Sequence, residues 1–409
     1  MGEMHILHTN SITAELLLEG VGDFRAMERR ARVLEKTIPV SEELVVNLVK
    51  RYGTPLFLIL GERIARNYAA FQEFFPGVEI FYAVKANPHP LILEMLARWG
   101  SSFDVASAQE IALILEHGVA AERMIFANTI KKKEALQYAR EKHIRLLTYD
   151  NEAELYKIRT FYPEADLVLR LKVPTLGSRI DLSYKFGVEP EEAMYLLRLA
   201  KSLGLRTVGL SFHVGSPCHN PDNYRRSLEM VKVILNDSAR EGISLSLVDI
   251  GGGFPLHTYY AEGEEASVEY MGETVYPLLK PFMARGYRVI AEPGRGIVGN
   301  ACLLVTRVIG KAVHSGRVWY YLDDGLYGTF SAIPFDKASF TFHTLHNGEE
   351  KIPCVLAGPT CDSLDVIAEG VFLPSLEIDD LILVPNIGAY SLASATNFNG
   401  FEKPRVLVV

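Results

Sequence analysis

Eight short apolar runs punctuate the middle of the chain: Ile80–Val84, Phe103–Val105, Met124–Ala127, Ile144–Tyr149, Leu167–Leu171, Val208–His213, Leu247–Ile250 and Val289–Glu292. Each is too short for an ordinary helix and reads as a buried strand. Between the runs the apolar positions switch to helical spacing. Leu91, Leu93, Met95, Leu96 and Trp99 precede the second run, Met194, Leu196, Leu197, Leu199 and Ala200 the sixth, and Met230, Val231, Val233 and Ile234 the seventh. Strand alternating with helix predicts parallel strands joined by crossovers. Eight such units fit a closed barrel better than an open sheet, so residues 57–298 are expected to form a TIM-like (β/α)8 barrel within an α/β fold.

The texture changes after Asn300. Leu303–Ile309, Val318–Leu322, Ile352–Leu356 and Leu381–Val384 are short, turn-separated runs with few helical periods between them. Residues 299–409 therefore read as a mostly antiparallel β-domain. Residues 1–56 are expected to be an N-terminal segment packing with that domain, so that it combines the C-terminal part with some N-terminal residues. Ser41, followed by Glu42 and Glu43, looks like a capped helix start, and Gly53-Thr54-Pro55 ends that helix. The first 38 residues are polar and mixed and suggest no element.

Composition narrows the function class. A chain of 409 residues suggests two domains, and 48% apolar with 22% charged residues is an ordinary globular balance. The formal charge of −8 argues against a nucleic-acid-binding surface but leaves room for a locally basic pocket. No apolar run is long enough to span a membrane, and no signal peptide is legible after Met1. The spacing of Cys218, Cys302, Cys354 and Cys361 fits neither a zinc knuckle nor a disulfide framework, so a reducing, cytoplasmic setting and no metal site are expected.

If the eight runs close into a barrel, the residues at their C-terminal ends share one mouth, where barrel enzymes carry their chemistry. Lys85 follows the first run, Asp104 lies within the second, Asn128 follows the third and Arg170 lies near the end of the fifth. His213 ends the sixth, Gly251-Gly252-Gly253 follows the seventh and Glu292 ends the eighth. Any one of these means little; their convergence on one rim is the signal. A lysine after Phe81-Tyr82-Ala83-Val84 is partly desolvated, which suits a nucleophilic amine forming a Schiff base with an aldehyde, though a snorkelling or ion-paired lysine is the plainer reading. The triple glycine lets backbone N–H groups approach a phosphate, with Ser216 and Arg295 as further contacts, but a plain tight turn fits equally. Glu292 in a narrow mouth needs a partner, either a protonated ring nitrogen or a structural arginine. His213 is either a stacking ring or a satisfied structural histidine. Cys361, in Gly358-Pro359-Thr360-Cys361-Asp362, lies in a polar loop where a thiol can donate a proton; a small buried cysteine is the ordinary alternative.

Six motifs then align with a known family. Ala83-Val84-Lys85-Ala86-Asn87, His213-Val214-Gly215-Ser216, Gly251-Gly252-Gly253-Phe254-Pro255, Glu292-Pro293-Gly294-Arg295, Gly358-Pro359-Thr360-Cys361-Asp362 and Phe398-Asn399-Gly400-Phe401 stand in the order found in ornithine decarboxylases of the alanine-racemase-like fold. The chain resembles that family from about Pro55 to its C-terminus. The resemblance implies pyridoxal 5'-phosphate as cofactor, bound covalently by Lys85. It further implies that Glu292 pairs with the ring nitrogen and that His213 stacks on the ring. Ser216, Gly251, Gly252, Gly253, Gly294, Arg295 and Tyr390 would hold the phosphate, and Asp104, Glu110 and Arg170 match polar residues around the lysine and ring. Cys361 and Asp362 would reach into a neighbouring subunit's site, giving a homodimer with composite sites.

Asp336 matches the family's substrate-reading aspartate, with Asp362 and Phe398 as further substrate contacts. Pro334 and Phe335 stand where the eukaryotic enzymes have Leu-Tyr. The implied reaction is decarboxylation of a small basic amino acid, with L-ornithine giving putrescine for polyamine synthesis as the favoured case. Cys361 is the candidate acid returning a proton to Cα. One methylene is worth only about 1–3 kcal/mol in a pocket, so a lysine or dual lysine/ornithine enzyme is the first alternative. Arginine and carboxynorspermidine enzymes are further options. A pair of carboxylates argues against diaminopimelate. An inactive homologue with a regulatory role is the non-enzyme alternative; the cofactor contacts that such a protein loses are all present here.

Overall fold

The computed structural model describes residues 38, 40–256, 267–345 and 350–409, so most of the expected N-terminal segment, residues 1–37, lies outside the described residues. The described chain divides into two compact units. One holds the described residues up to Arg66 together with those from Val298 on, and the other the described residues between Asn67 and Ile297. The boundary expected after residue 56 thus falls about a strand and half a helix later. The reason is that β1 (Leu56–Ile59) pairs antiparallel with β12 (Cys302–His314) and parallel with β18 (Arg405–Val408), not with any barrel strand.

In the second unit, all eight expected runs are strands. These are β2 (Glu79–Ala83), β3 (Ser102–Val105), β4 (Met124–Phe126), β5 (Leu146–Tyr149), β6 (Asp166–Leu171), β8 (Arg206–Phe212), β10 (Leu247–Asp249) and β11 (Arg288–Ala291). They close a parallel barrel in chain order, with β11 returning to β2. Phe81, Ile125, Val168 and Leu247, from the first, third, fifth and seventh barrel strands, pack with Ile290 in its interior. One strand in two supplying a layer is how a closed barrel fills its centre with side chains. A small extra sheet pairs β7 (Ser178–Ile180) with β9 (Ser216–Cys218).

The other unit is an eight-stranded, mostly antiparallel sheet. It contains the four expected runs, as β12, β13 (Arg317–Leu322), β15 (Ile352–Ala357) and β17 (Leu381–Pro385), and adds β14 (His343–Thr344), β16 (Val366–Leu373), β18 and β1. The helix Glu42–Tyr52 begins as expected, with Ser41 Oγ accepting from Leu44 N at 3.2 Å, and ends at Gly53. Its Val45 and Leu48 pack against Leu56, Leu58, Leu303, Val305, Leu383 and Leu407, so N-terminal residues do build this unit's core. Among the described residues, no helix is long and apolar enough to cross a membrane.

Candidate active site

The strand ends of the barrel place the predicted groups around its mouth. Lys85 lies in the single turn Val84–Ala86 that follows β2, and the buried Tyr82 hydroxyl donates to Asn87 O at 3.0 Å, fastening the far side of that turn. Its amine is ion-paired with Asp104 on the neighbouring strand. The second oxygen of Asp104 is buried without a hydrogen-bond partner. Glu110 sits in the first turn of the helix Ala108–Glu116, capped by Ser107, and its carboxylate accepts from Ala106 N at 2.6 Å. Burial pushes the Glu110 carboxyl up.

His213 follows β8. Gly215 N donates to its Nδ1 at 3.1 Å, so a neutral ring carries its proton on Nε2. Burial, then the charges of Arg170 and Lys85, push its pKa well below the ordinary 6.5, so the ring is neutral at pH 7. Arg170 in β6 donates to Leu182 O at 3.2 Å and lies over the Phe186 ring at 5.1 Å. Its pKa is lowered by burial against the pull of Glu292, Asp150, Asp249 and Asp104.

Glu292 follows β11. Burial raises its carboxyl pKa well above the ordinary 4.5, helped by Asp249 and Asp104, while Lys85 and Arg170 act the other way. Lys85, Asp104, Arg170, Asp249 and Glu292 are thus close enough at the barrel's strand ends to act on one another's charge. Oε1 of Glu292 is buried and lacks a hydrogen-bond partner. Such an oxygen is complementary to a cationic N–H of a heteroaromatic ring, which would restore its charge; the carboxyl therefore fits the cofactor expected there. Asp249, the residue before Ile250 and the triple glycine, hydrogen-bonds Glu292 and accepts from Gly251 N at 2.8 Å. The strand run Leu247–Ile250 contained this aspartate, and a charge inside an apolar run was the signal that could have found it.

The proposed phosphate end is built from backbone. Gly251 and Gly253 have φ of +65° and +98°, and a Cβ on Gly251 would lie 2.2 Å from Phe212 O, so no other residue fits that position. A Cβ on Gly252 would lie 3.1 Å from His213 Nε2. Ser216 and Arg295 are buried, Arg295 opening the short helix Arg295–Val298 directly after Gly294.

The remaining predicted residues lie in the β unit. Tyr390 has a left-handed φ of 58° and its carbonyl accepts from Ser394 Oγ at 2.7 Å. Asp336 ends the helix Ala332–Asp336; Ser331, just before it, donates to Ser391 O at 3.0 Å and lies 2.8 Å from Ser394 Oγ, tying the Asp336 and Tyr390 segments together. Cys361 is exposed, whereas Cys218, Cys302 and Cys354 are buried, so it is no core cysteine. Its backbone N–H and its thiol both donate to Asn399 Oδ1, at 3.2 and 3.4 Å. The Tyr327 hydroxyl donates to Asp362, and its ring stacks on Phe398 at 4.2 Å. Leu364 N and then Tyr327 hold the Asp362 carboxyl below its usual range, so it is an anion at pH 7. Cys361, Asp362 and Phe398 are thus one cluster, and its organisers Tyr327 and Asn399 escaped the sequence reading. Asn399 stood inside a quoted motif; Tyr327 carried no local signal.

The chain is similar to known proteins along most of its length. The family model for the pyridoxal-binding domain of pyridoxal-dependent decarboxylases matches residues 61–299. The lysine/ornithine decarboxylase of Selenomonas ruminantium is 37% identical over 366 residues, covering 90% of this chain and 92% of its own. Antizyme inhibitor 2 of Xenopus laevis is 35% identical, covering 89% and 83%. A solved lysine/ornithine decarboxylase from Vibrio vulnificus, complexed with cadaverine, superposes with a TM-score of 0.84 at 36% identity, covering 90% of this chain and 99% of that one. The chain belongs to the pyridoxal-dependent decarboxylase family, as a pyridoxal-phosphate enzyme of the ornithine and lysine type that acts on basic amino acids.

Proposed function

We propose that the chain decarboxylates L-ornithine to putrescine and accepts L-lysine as a second substrate. The observation that carries the reading is the cluster at the barrel's strand ends in which Lys85, paired with Asp104, lies within charge range of Glu292 and its partnerless buried oxygen. In it Lys85 would hold the aldehyde carbon of the cofactor, Glu292 the ring nitrogen and neutral His213 the ring face. Ser216, Gly251–Gly253, Gly294, Arg295 and Tyr390 would hold the phosphate. Bound pyridoxal phosphate supplies the sink for the electron pair left when carbon dioxide departs.

The chain's own residues do the rest. Asp104 keeps the Lys85 amine oriented. Glu292 keeps a proton at the ring nitrogen, which deepens the electron sink. Asp362, ionised at pH 7, together with Asp336, receives the ammonium at the far end of the substrate, beside Phe398. Cys361, the exposed thiol, delivers the proton to Cα. The cluster of Cys361 and Asp362 completes a neighbouring subunit's site in a homodimer. Two carboxylates suit a terminal amine, and relatives named for both ornithine and lysine support a pocket that tolerates one methylene.

Steady-state kinetics with ornithine, lysine, arginine and diaminopimelate test this. The highest kcat/KM should fall on ornithine, with lysine within about a hundredfold. A maximum on arginine or diaminopimelate would overturn the substrate reading. Lys85→Ala should lose the visible absorbance of the loaded protein; a retained, borohydride-reducible band would move the attachment to another lysine.

A further inference from the structure

The three glycine carbonyls of the loop after β10 are each pinned from outside. Gly251 O accepts from Glu292 N at 2.8 Å, Gly253 O from Cys218 N at 2.8 Å, and Gly252 O from the Tyr224 hydroxyl at 2.7 Å. Two of these donors are backbone groups that any residue would supply. The third is a side chain, and it comes from the first turn of the helix Asp222–Arg240, which no motif includes. Tyr224 is completely buried, with its ring 5.9 Å from that of Phe254 and 6.3 Å from that of Phe212.

A trans peptide points its C=O and the next N–H in opposite directions. Fixing Gly252 O on the helix side therefore turns the Gly253 N–H away from the helix. Among the described residues, the N–H groups of Gly252, Gly253 and Phe254 donate to no protein acceptor. Three successive spare donors on glycine-rich backbone form an anion-binding concavity. Glycine resists no rotation of its own peptide, so something outside the loop must fix the orientation.

We propose that Tyr224 is a positioning residue for phosphate binding: its hydroxyl locks the Gly252–Gly253 peptide with the Gly253 N–H presented to the cofactor's phosphate. The proposal rests on the reading of Gly251–Gly253 as the phosphate cradle. Burial pushes the Tyr224 hydroxyl well above its ordinary 10, so it remains a donor over the whole working pH range. The phenol ring serves packing, which phenylalanine would preserve; only the oxygen serves the loop.

Tyr224→Phe isolates that oxygen. The measurement is the Kd of cofactor-free full-length protein for pyridoxal phosphate and for pyridoxal, which lacks the phosphate. The variant should bind pyridoxal phosphate about fivefold or more weakly, through the loss of one buried hydrogen bond, and pyridoxal unchanged. An unchanged Kd for pyridoxal phosphate overturns the proposal. So does an equal loss for both, which marks a merely structural role. Unmutated protein that binds pyridoxal as tightly as its phosphate ester overturns the cradle reading itself. A second measurement needs no variant: in cofactor-free protein, inorganic phosphate should slow amide exchange over residues 252–254, and unaltered exchange also overturns the proposal.

Discussion

Glu292 and Asp336 are both carboxylates, yet their surroundings predict different failures. Burial raises the Glu292 pKa above the ordinary 4.5, so in cofactor-free protein its contribution to stability is present below that value and is lost as pH rises through the folded value. Glu292→Gln removes the ionisation. In melting experiments on cofactor-free protein, the Tm of the variant relative to the parent should therefore rise between about pH 5 and about pH 8. A constant difference would mean that the carboxyl is not held protonated. Asp336 is the half-buried last residue of a short helix, and its proposed work is at the substrate's far end. Asp336→Ala should raise KM for ornithine and lysine about tenfold or more with a smaller change in kcat, and unchanged KM values would remove the assigned role. The barrel groups were legible because each lies in, ends or directly follows an apolar run, whereas Asp336 was legible only through the family resemblance. Tyr327, Asn399 and Tyr224 were not, because their work is defined by partners tens of residues away, at Asp362, Cys361 and Gly252. Nothing in the neighbouring sequence marks a hydroxyl for a carbonyl on another element.

At the scale of elements, Lys131 ties two strand ends together. Its buried amine donates to Asn128 O and Thr129 O after β4 and to Thr148 O in β5, and it pairs with Glu154 at 3.0 Å. Burial pushes it down to about 8, against the pull of Glu154. Lys131→Met leaves the three carbonyls without that donor, while Glu154 keeps Lys157 at 2.6 Å. The loss should be about 3 kcal/mol, read as a lower denaturant midpoint at unchanged slope. A shift under about 0.5 kcal/mol would show that the carbonyls find other donors. The barrel strands were readable because most of their residues are buried and apolar, the site groups Asp104, Arg170 and Asp249 being exceptions. The β unit was readable only in part. Gly370, with φ of +68°, and two register shifts against β15 break the pattern of β16, and β1 looks locally like any barrel strand.

At the scale of the whole molecule, the proposed homodimer makes Lys85 and Cys361 parts of one site supplied by two chains. Mixing and re-equilibrating inactive Lys85→Ala with Cys361→Ala should then restore activity, approaching about one quarter of the parent's, since half the dimers are mixed and each holds one intact site. No recovery would place both groups within one chain's site. A different consequence follows from β1, which lies between β12 on one side and β18 on the other. As the chain leaves the ribosome, Leu56–Ile59 emerges early and must wait for the entire barrel to be synthesised before β12 arrives. Its second neighbour, Arg405–Val408, is made later still. All eight barrel strands are made before either partner of β1 exists, which leaves this strand's edges unpaired in the nascent protein and open to mispairing.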